Sequence, residues 1–266
     1  MKKLGLVLGG GAVRGLAHIG ILKSLEKHHV AVDCVIGTSM GGVVGGLYAA
    51  GVPVHEIENT LIHTPKLRFL DRGNWLKGIL AGNGIAQVVS DLLAEHELQD
   101  ICIEQLPISF KTIAVDLMEG TQVTIDQGDL VTALRATSAF PGVFAPLMCN
   151  GRMLVDGGVL NNLPVANMKE ENVNCILAVD VSREHEKKPP RNMIEVVYRS
   201  YSLMTAERKH SSLSLADMVV RPDVGPYAAF DVTKSLECIA AGEEAMEAMM
   251  PELQHRLMFG ERDIAR

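Results

Sequence analysis

Two strand-turn-helix units in the first fifty residues constrain the fold of this chain more than any other feature. Residues 4–8 form an apolar run that leads into a glycine-rich loop, and residues 16–25 then carry leucine and isoleucine at three-residue intervals. Residues 30–36 form a second run with β-branched side chains, and a helical pattern follows at residues 43–48. Apolar runs that alternate with helical patterns are typical of a sheet buried between helices. We therefore predict an α/β fold.

The alternation continues along the chain without an internal repeat or a clear break between two folded units. We predict further strands within residues 108–116, 121–125, 153–155, 175–181 and 218–220. We predict further helices within residues 54–63, 85–93, 194–215 and 236–253, and a helix that Asp129 caps and that runs through residues 134–137. The chain is therefore expected to form a single domain over residues 1–266, with a motif-bearing core at residues 1–182 and a helical C-terminal part at residues 191–266.

Composition excludes several classes of function. A net charge of −7 and an aromatic content of 4% argue against a nucleic-acid-binding protein, which needs a basic face or stacking aromatics. The five cysteines are odd in number and form no C-x-x-C pair, so neither a disulfide framework nor a zinc site is predicted. The N-terminal apolar run is too short for a signal peptide, and no run reaches the roughly 18 apolar residues of a membrane-spanning helix. We expect a cytoplasmic protein, with any membrane contact peripheral.

Residues 37–41, Gly-Thr-Ser-Met-Gly, fit the G-x-S-x-G pattern of a nucleophilic serine on a sharp strand-to-helix turn. Gly37 and Gly41 allow the chain to turn without Cβ clashes, so the hydroxyl of Ser39 is expected to project into a site. The same five residues also fit an ordinary glycine-rich helix start. The surrounding motifs therefore decide between the two interpretations.

Asp156 is our candidate for the base that activates Ser39. It ends an apolar strand, and the ends of neighbouring strands gather at one edge of an α/β sheet. Desolvation there would raise the pKa of the carboxyl above its reference value of about 3.9, while Gly157 and Gly158 would let the backbone approach closely. The alternative is a turn aspartate that bonds only to its own backbone.

The glycine loop at residues 9–15 would supply the rest of an acyl-transfer site. The backbone N–H groups of Gly10, Gly11 and Ala12 would stabilise the oxyanion that develops on an attacked carbonyl, and the following helix N-terminus would add positive potential. Arg14 is expected to hold this loop or to meet an anionic head group. A surface ion pair is the third possibility for Arg14.

Phosphate-binding motifs compete for the same glycine loop, but they fail on position. Walker A requires Lys and Ser or Thr after its last glycine, whereas Gly15 is followed by Leu16 and Ala17. The dinucleotide-binding pattern that starts at Gly9 requires glycine at its sixth position, which is occupied by Arg14. We therefore do not expect nucleotide binding.

A serine-aspartate-histidine triad is the closer rival, because it shares the G-x-S-x-G turn. Three histidines follow Asp156 in the chain order that such a triad requires: His185, His210 and His255. None of them lies in a glycine turn at a strand end. We therefore predict that the base is an aspartate and not a histidine.

Residues 65–84 differ in character from the rest of the chain. They contain the single tryptophan, Trp75, and four basic residues against one acidic residue, in a protein that is acidic as a whole. One interpretation is a loop folded onto the core. The other is a cap or membrane-touching segment over the site.

The three glycine-bearing motifs together resemble the patatin-like phospholipase family, in particular its compact bacterial members. They occur in the family's order, and residues 136–146 and 162–164 are also similar, so that the resemblance covers about residues 2–181. The resemblance implies a three-layer α/β/α fold with a central, mainly parallel sheet. It also implies Ser39 as nucleophile, Asp156 as base, an oxyanion hole in the first glycine loop, and lipid acyl hydrolysis without a metal or cofactor.

The leading hypothesis is therefore a serine acyl hydrolase whose partner is a lipid or another acyl ester. Two alternatives stay open. In the first, the same dyad transfers the acyl group to an alcohol or lysolipid, which makes the protein an acyltransferase. In the second, the site is inactive and the protein is a lipid-binding regulatory module.

Overall fold

The protein is represented by a computed structural model that describes residues 2–65, 68, 80–182, 189–225 and 227–259. An eight-stranded mixed sheet forms its centre. The strands are β1 Leu4–Leu8, β2 Cys34–Thr38, β3 Ser109–Asp116, β4 Thr121–Ile125, β5 Leu147–Cys149, β6 Arg152–Asp156, β7 Cys175–Val179 and β8 Met218–Val220. Residues 65–84, interpreted either as a loop folded onto the core or as a cap or membrane-touching segment, lie mostly outside the described residues.

The sheet order is β5-β6-β3-β2-β1-β7-β8, and β4 pairs with β3 off this path. The five strands β3, β2, β1, β7 and β8 are parallel, whereas β4, β5 and β6 join through antiparallel pairs. The sequence therefore predicted a mainly parallel sheet correctly. It missed the short strand β5 and gave no sign that β6 is antiparallel.

The strands β2 and β6 lie along the same edge of β3. The pairing of β2 with β3 ends at Thr38 opposite Ile113, and the pairing of β6 with β3 begins at Asp156 opposite Ala114. The other edge of β3 is taken by β4. Because β6 runs antiparallel to β3, the carboxyl ends of β2 and β6 point at each other, and this brings the serine turn and the aspartate turn together.

Helices cover both faces of the sheet and complete the three-layer α/β/α architecture. They are α1 Ala17–Lys27, α2 Met40–Ala49, α3 Val54–His63, α4 Asn83–Glu95, α5 Leu130–Thr137, α6 Gly158–Asn161, α7 Val165–Met168, α8 Met193–Leu213 and α9 Ser235–Phe259. The larger core packs α1, α2 and α9 against one face, onto side chains such as Leu6 and Leu177. A smaller core on the other face joins α7 and the end of α8 to Val7 and Ile36.

The C-terminal helix α9 belongs to the larger core, in agreement with the methionine-rich pattern of its sequence. Met246, Met250 and Leu253 are buried there, whereas Leu236, in the first turn of the helix, is exposed. None of the described helices is both long enough and apolar enough to cross a membrane.

Candidate active site

Ser39 occupies the bend between β2 and α2, with a φ of 55° and a ψ of −126°. A positive φ is uncommon for any residue other than glycine, and such strain persists only where the surroundings enforce it. Here close packing of backbone atoms holds Ser39 in this conformation. A Cβ atom on Gly41 would overlap the carbonyl of Leu8, and one on Gly37 would overlap the carbonyl of Gly41. The two glycines of the motif therefore have the steric role predicted for them.

Thr137, the last residue of α5, fixes the backbone of the serine turn. Its Oγ1 accepts the N–H of Ser39 at 2.9 Å and donates to the carbonyl of Ile113 at 2.6 Å. The side chain is fully buried, so these hydrogen bonds are shielded from water. Sequence reasoning did not assign this role, although Thr137 lies in the stretch 136–146 noted for its family resemblance.

Asp156 ends β6 and faces Ser39 directly. Its carboxylate accepts a hydrogen bond from the Ser39 hydroxyl, and its Oδ1 accepts the N–H of Gly158 at 2.9 Å. The side chain is buried, and its own backbone N–H donates to the carbonyl of Ala139 at 3.0 Å. The two interpretations offered for this residue are thus compatible, because the same carboxylate bonds to its own turn and to the serine.

Burial raises the pKa of the Asp156 carboxyl to about 6, although the hydrogen bonds from Ser39 and Gly158 act in the opposite direction. Desolvation disfavours the ionised form of a carboxyl group, and here it outweighs the stabilising donors. At neutral pH the group is ionised but more basic than an exposed aspartate. It is therefore suited to accept a proton from the hydroxyl that touches it.

The glycine loop lies beside this pair, but one of its three predicted oxyanion donors is not available. The N–H of Gly10 donates to the carbonyl of Asn162 at 3.1 Å, and the Asn162 Nδ2 donates back to the carbonyl of Gly10 at 3.0 Å. The prediction of Gly10 as a donor was therefore wrong, because the residue is used to fasten the loop. The N–H groups of Gly11 and Ala12 form no hydrogen bond with any described residue.

Asn162 is a second residue whose role the sequence did not assign. It belongs to the Asn-Leu-Pro stretch that follows the aspartate motif, and it ties the glycine loop to the chain segment after Asp156. A Cβ atom on Gly10 would approach the Ser39 Cβ to 3.1 Å, so the loop also lies directly against the serine. Three segments far apart in sequence thus meet at one point.

Arg14 holds the glycine loop from inside the protein. Its side chain is only 1% exposed, and its Nε donates to the carbonyl of Tyr227 at 2.7 Å. Of the three roles considered, the structure favours the first. The head-group and surface-ion-pair roles were wrong, because a buried guanidinium reaches neither lipid nor solvent.

His18 supports the same loop from α1. Its Nε2 bonds to the carbonyl of Gly9 at 2.7 Å, while its buried Nδ1 has no hydrogen-bond partner among the described residues. Burial lowers the pKa of His18 to about 4, against the opposing effects of the Gly9 carbonyl and Asp180. The ring is therefore neutral at pH 7, and it donates from Nε2 to the loop.

The rival triad finds no support in the described residues. His210 and His255 are exposed on α8 and α9, and the hydrogen-bond partners of the Asp156 carboxylate are Ser39 and Gly158. His185 lies outside the described residues. Across the same part of the chain, no three His, Cys, Asp or Glu side chains are grouped to hold a metal ion.

Comparison with known proteins identifies related sequences and a related fold. The model of the patatin-like phospholipase family matches residues 6–168. An uncharacterized NTE family protein of Mycobacterium tuberculosis is 38% identical over 183 residues, which cover 68% of this chain and 49% of the relative. Lysophospholipase NTE1 of Eremothecium gossypii is 34% identical over 196 residues, which cover 71% of this chain and 12% of the relative. This chain thus spans about half the length of the mycobacterial relative and a small part of the fungal one.

A solved structure of VipD from Legionella pneumophila has a similar fold. The two chains superpose with a TM-score of 0.63 at 12% sequence identity, over 94% of this chain and 67% of VipD. At that identity the likeness concerns the fold alone.

Proposed function

Because this chain belongs to the patatin-like phospholipase family, we propose that it hydrolyses carboxylic esters of lipids through a Ser39-Asp156 dyad. The observation that carries the proposal is the hydrogen bond from the Ser39 hydroxyl to the buried Asp156 carboxylate. Two unused backbone N–H groups, those of Gly11 and Ala12, lie on the loop beside it. A nucleophile, a base and an oxyanion site are the parts that ester cleavage by a serine requires.

The proposed reaction has two halves. Ser39 Oγ attacks the ester carbonyl while Asp156 takes its proton, and the N–H groups of Gly11 and Ala12 stabilise the oxyanion. The carbon-oxygen bond to the alcohol then breaks, and Asp156 returns the proton to the alcohol oxygen. In the second half, water attacks the acyl-enzyme with Asp156 again as base, and the fatty acid is released.

The decisive experiment is a lipid panel incubated with purified protein, with fatty acid release as the readout. The panel begins with lysophospholipids, because one relative bears the name lysophospholipase, and it includes diacyl phospholipids and monoacylglycerols. Ser39→Ala and Asp156→Asn are each expected to reduce release to background while far-UV circular dichroism stays unchanged. Full activity in Asp156→Asn would contradict the dyad.

Matched controls are available on the surface of the same chain. Ser211→Ala removes an exposed serine hydroxyl from α8, and Asp129→Asn changes an exposed carboxylate that caps α5. Both controls are expected to retain wild-type release. Excess EDTA is also expected to leave activity intact, and its loss would contradict a reaction that needs no metal.

The same preparation distinguishes the two alternatives. With a lysolipid or alcohol as added acceptor, an acyltransferase forms a new ester in place of free fatty acid. An inactive lipid-binding module would not be labelled at Ser39 by a fluorophosphonate probe. Wild-type labelling that is lost in Ser39→Ala would support the hydrolase or transferase and exclude the inactive module.

Peripheral contact with a lipid surface and a cytoplasmic location stay predictions. The proposed contact segment is the cationic stretch at residues 65–84, which contains Trp75. Because this is the only tryptophan in the chain, its fluorescence reports on that segment alone. A blue shift on addition of anionic vesicles is expected, and an unchanged spectrum would remove the support for this contact.

A further inference from the structure

The helix α8 places a tyrosine hydroxyl against the aspartate turn. A Cβ atom on Gly158 would overlap the Tyr201 hydroxyl oxygen, so the hydroxyl lies directly on the backbone whose N–H binds Asp156. The charge of Asp156 also reaches the Tyr201 hydroxyl strongly enough to affect its pKa. The reaction described above makes no use of this side chain.

The ring of Tyr201 is held by other aromatic rings. Phe140 meets it edge to face with centroids 5.6 Å apart, and Tyr198 stacks on it at 6.2 Å. Phe140 follows Ala139, whose carbonyl accepts the backbone N–H of Asp156. The packing that orients the tyrosine is thus continuous with the segment that positions the carboxylate.

The hydroxyl of Tyr201 is a donor without an acceptor among the described residues. No hydrogen bond from its oxygen to any of them is formed, although its backbone carbonyl bonds to Thr205. Burial, followed by the charge of Asp156, raises the pKa of Tyr201 well above its ordinary value. The phenol therefore keeps its proton at neutral pH, and no described residue accepts that proton.

The position of the hydroxyl indicates which oxygen it would meet. In the proposed reaction Asp156 must return its proton to the departing alcohol, so the alcohol oxygen passes close to Asp156. The oxyanion donors Gly11 and Ala12 belong to a different segment, the glycine loop. The tyrosine hydroxyl lies against the aspartate turn, so the alcohol oxygen that takes the proton from Asp156 is the substrate oxygen that we expect it to meet.

We propose that the Tyr201 hydroxyl donates a hydrogen bond to the alcohol oxygen of the ester while its bond to the acyl carbon breaks. The inference rests on the proposed function and adds a residue that acts on the leaving group. The bond from Ser39 Oγ to the acyl carbon forms, and the bond from that carbon to the alcohol oxygen breaks. The proton of Ser39 passes through Asp156 to the alcohol, and Tyr201 keeps its own proton throughout.

The test compares two substrates with the same acyl chain and different leaving groups. A p-nitrophenyl ester releases a stable anion that needs no donor, whereas a monoacylglycerol releases an alkoxide that does. For Tyr201→Phe we expect kcat/KM, which reports the acylation half-reaction, to fall about 10–100-fold for the monoacylglycerol, the usual effect of losing a hydrogen bond to a charged group. For the p-nitrophenyl ester we expect a change of less than about threefold.

Tyr198→Phe is the matched control, because it removes the same group from the same helix three residues earlier. For this variant, the ratio of kcat/KM between the p-nitrophenyl ester and the monoacylglycerol is expected to equal that of the wild type. An equal loss on both substrates in Tyr201→Phe, or no loss on either, would overturn the inference and leave Tyr201 with a packing role. Failure of the proposed function itself would look different, since wild type would then cleave neither substrate above the level of Ser39→Ala.

Discussion

The serine turn, residues 37–41, and the aspartate turn, residues 156–158, meet at one point but are held there by different forces. At the serine turn, backbone atoms of Leu8, Gly37 and Gly41 approach so closely that no Cβ atom fits between them. The aspartate turn shares this crowding at Gly157, but it also buries an ionisable group. Packing therefore sets the position of the nucleophile, whereas desolvation sets the basicity of the carboxylate.

Gly41→Ala tests the steric half of this comparison and is expected to have the largest effect. The new methyl group would overlap the Leu8 carbonyl, so β1 or α2 must move, and we expect an unfolding free energy lower by about 3 kcal/mol or more together with loss of esterase activity. The measurement is urea denaturation. Gly120→Ala is the control, because it has a positive φ but no atom near the added methyl, and it should cost about 1 kcal/mol. A loss at Gly41 no larger than at Gly120 would contradict the steric explanation.

The pH dependence of activity tests the electrostatic half. Asp156 acts as a base only when ionised, and burial raises its pKa to about 6. We therefore expect kcat/KM for an uncharged ester to fall about 50-fold between pH 6 and pH 4, with a slope that approaches tenfold per pH unit at the acid end. Initial rates between pH 4 and pH 9, on protein shown to be folded at each pH, provide the measurement. If kcat/KM instead fell with a midpoint near pH 4, as expected for an exposed aspartate, desolvation would not determine the pKa of Asp156.

Asp156→Asn should separate stability from activity. The folded pKa of about 6 exceeds the ordinary value of 3.8, so the folded protein binds this proton more tightly than the unfolded chain does. Tighter proton binding stabilises the folded protein below pH 4, and this stabilisation is lost as the pH rises through 6. The loss in the free energy of unfolding is about 3 kcal/mol at pH 8. A neutral asparagine avoids this loss, so the inactive variant should be more stable than wild type at pH 8 by up to about 3 kcal/mol.

This gain should shrink as the pH approaches 4, where the wild-type carboxyl is itself protonated. Denaturant midpoints at pH 8 and pH 5 provide the measurement. Asp129→Asn, at the exposed N-cap of α5, is expected to change stability little at either pH. An Asp156→Asn protein less stable than wild type at pH 8 would contradict the assignment of a destabilising buried charge.

Thr137→Val has the smallest expected effect, because it alters a support of the serine turn and not the turn itself. The substitution leaves the N–H of Ser39 and the carbonyl of Ile113 without their partner. Unpaired groups of this kind cost about 1–2 kcal/mol, and we expect a moderate loss of kcat with it. Thr137→Ser keeps the hydroxyl and should restore most of both quantities. If serine and valine variants lose equally, the methyl group and not the hydrogen bonds is what matters.

The parts of the site that depend on local chain geometry could be predicted from the sequence. A glycine pattern around Ser39 implies a tight turn whatever surrounds it, and the alternation of apolar runs with helical patterns implies the buried sheet. The end of an apolar strand, together with the family resemblance, made Asp156 the candidate partner of Ser39. The tight turn and the buried sheet could be predicted because short-range sterics and local patterning determine them.

The parts that depend on distant pairing could not be predicted. Asp156 reaches Ser39 because β6 continues the edge of β3 where β2 stops, in the antiparallel direction, and no local pattern encodes that register. The same limit applies to the bond between Thr137 and Ser39 and to the bond between Asn162 and Gly10, whose partners lie 98 and 152 residues apart. The N–H of Gly10 could be predicted as an oxyanion donor only because its hydrogen bond to Asn162 cannot be seen in the sequence.

The buried ring of His18, which supports the glycine loop, makes the stability of the fold depend on pH. Its folded pKa of about 4 lies below the ordinary 6.5, so the stability it contributes is present above pH 6.5 and is lost as the pH falls toward 4. Asp156 changes stability in the opposite direction over nearly the same interval. Between about pH 4 and pH 6, folding releases a proton from His18 and takes one up at Asp156. The two contributions to the pH dependence of stability therefore offset each other. The core of this site can therefore fold across mildly acidic conditions with little net exchange of protons.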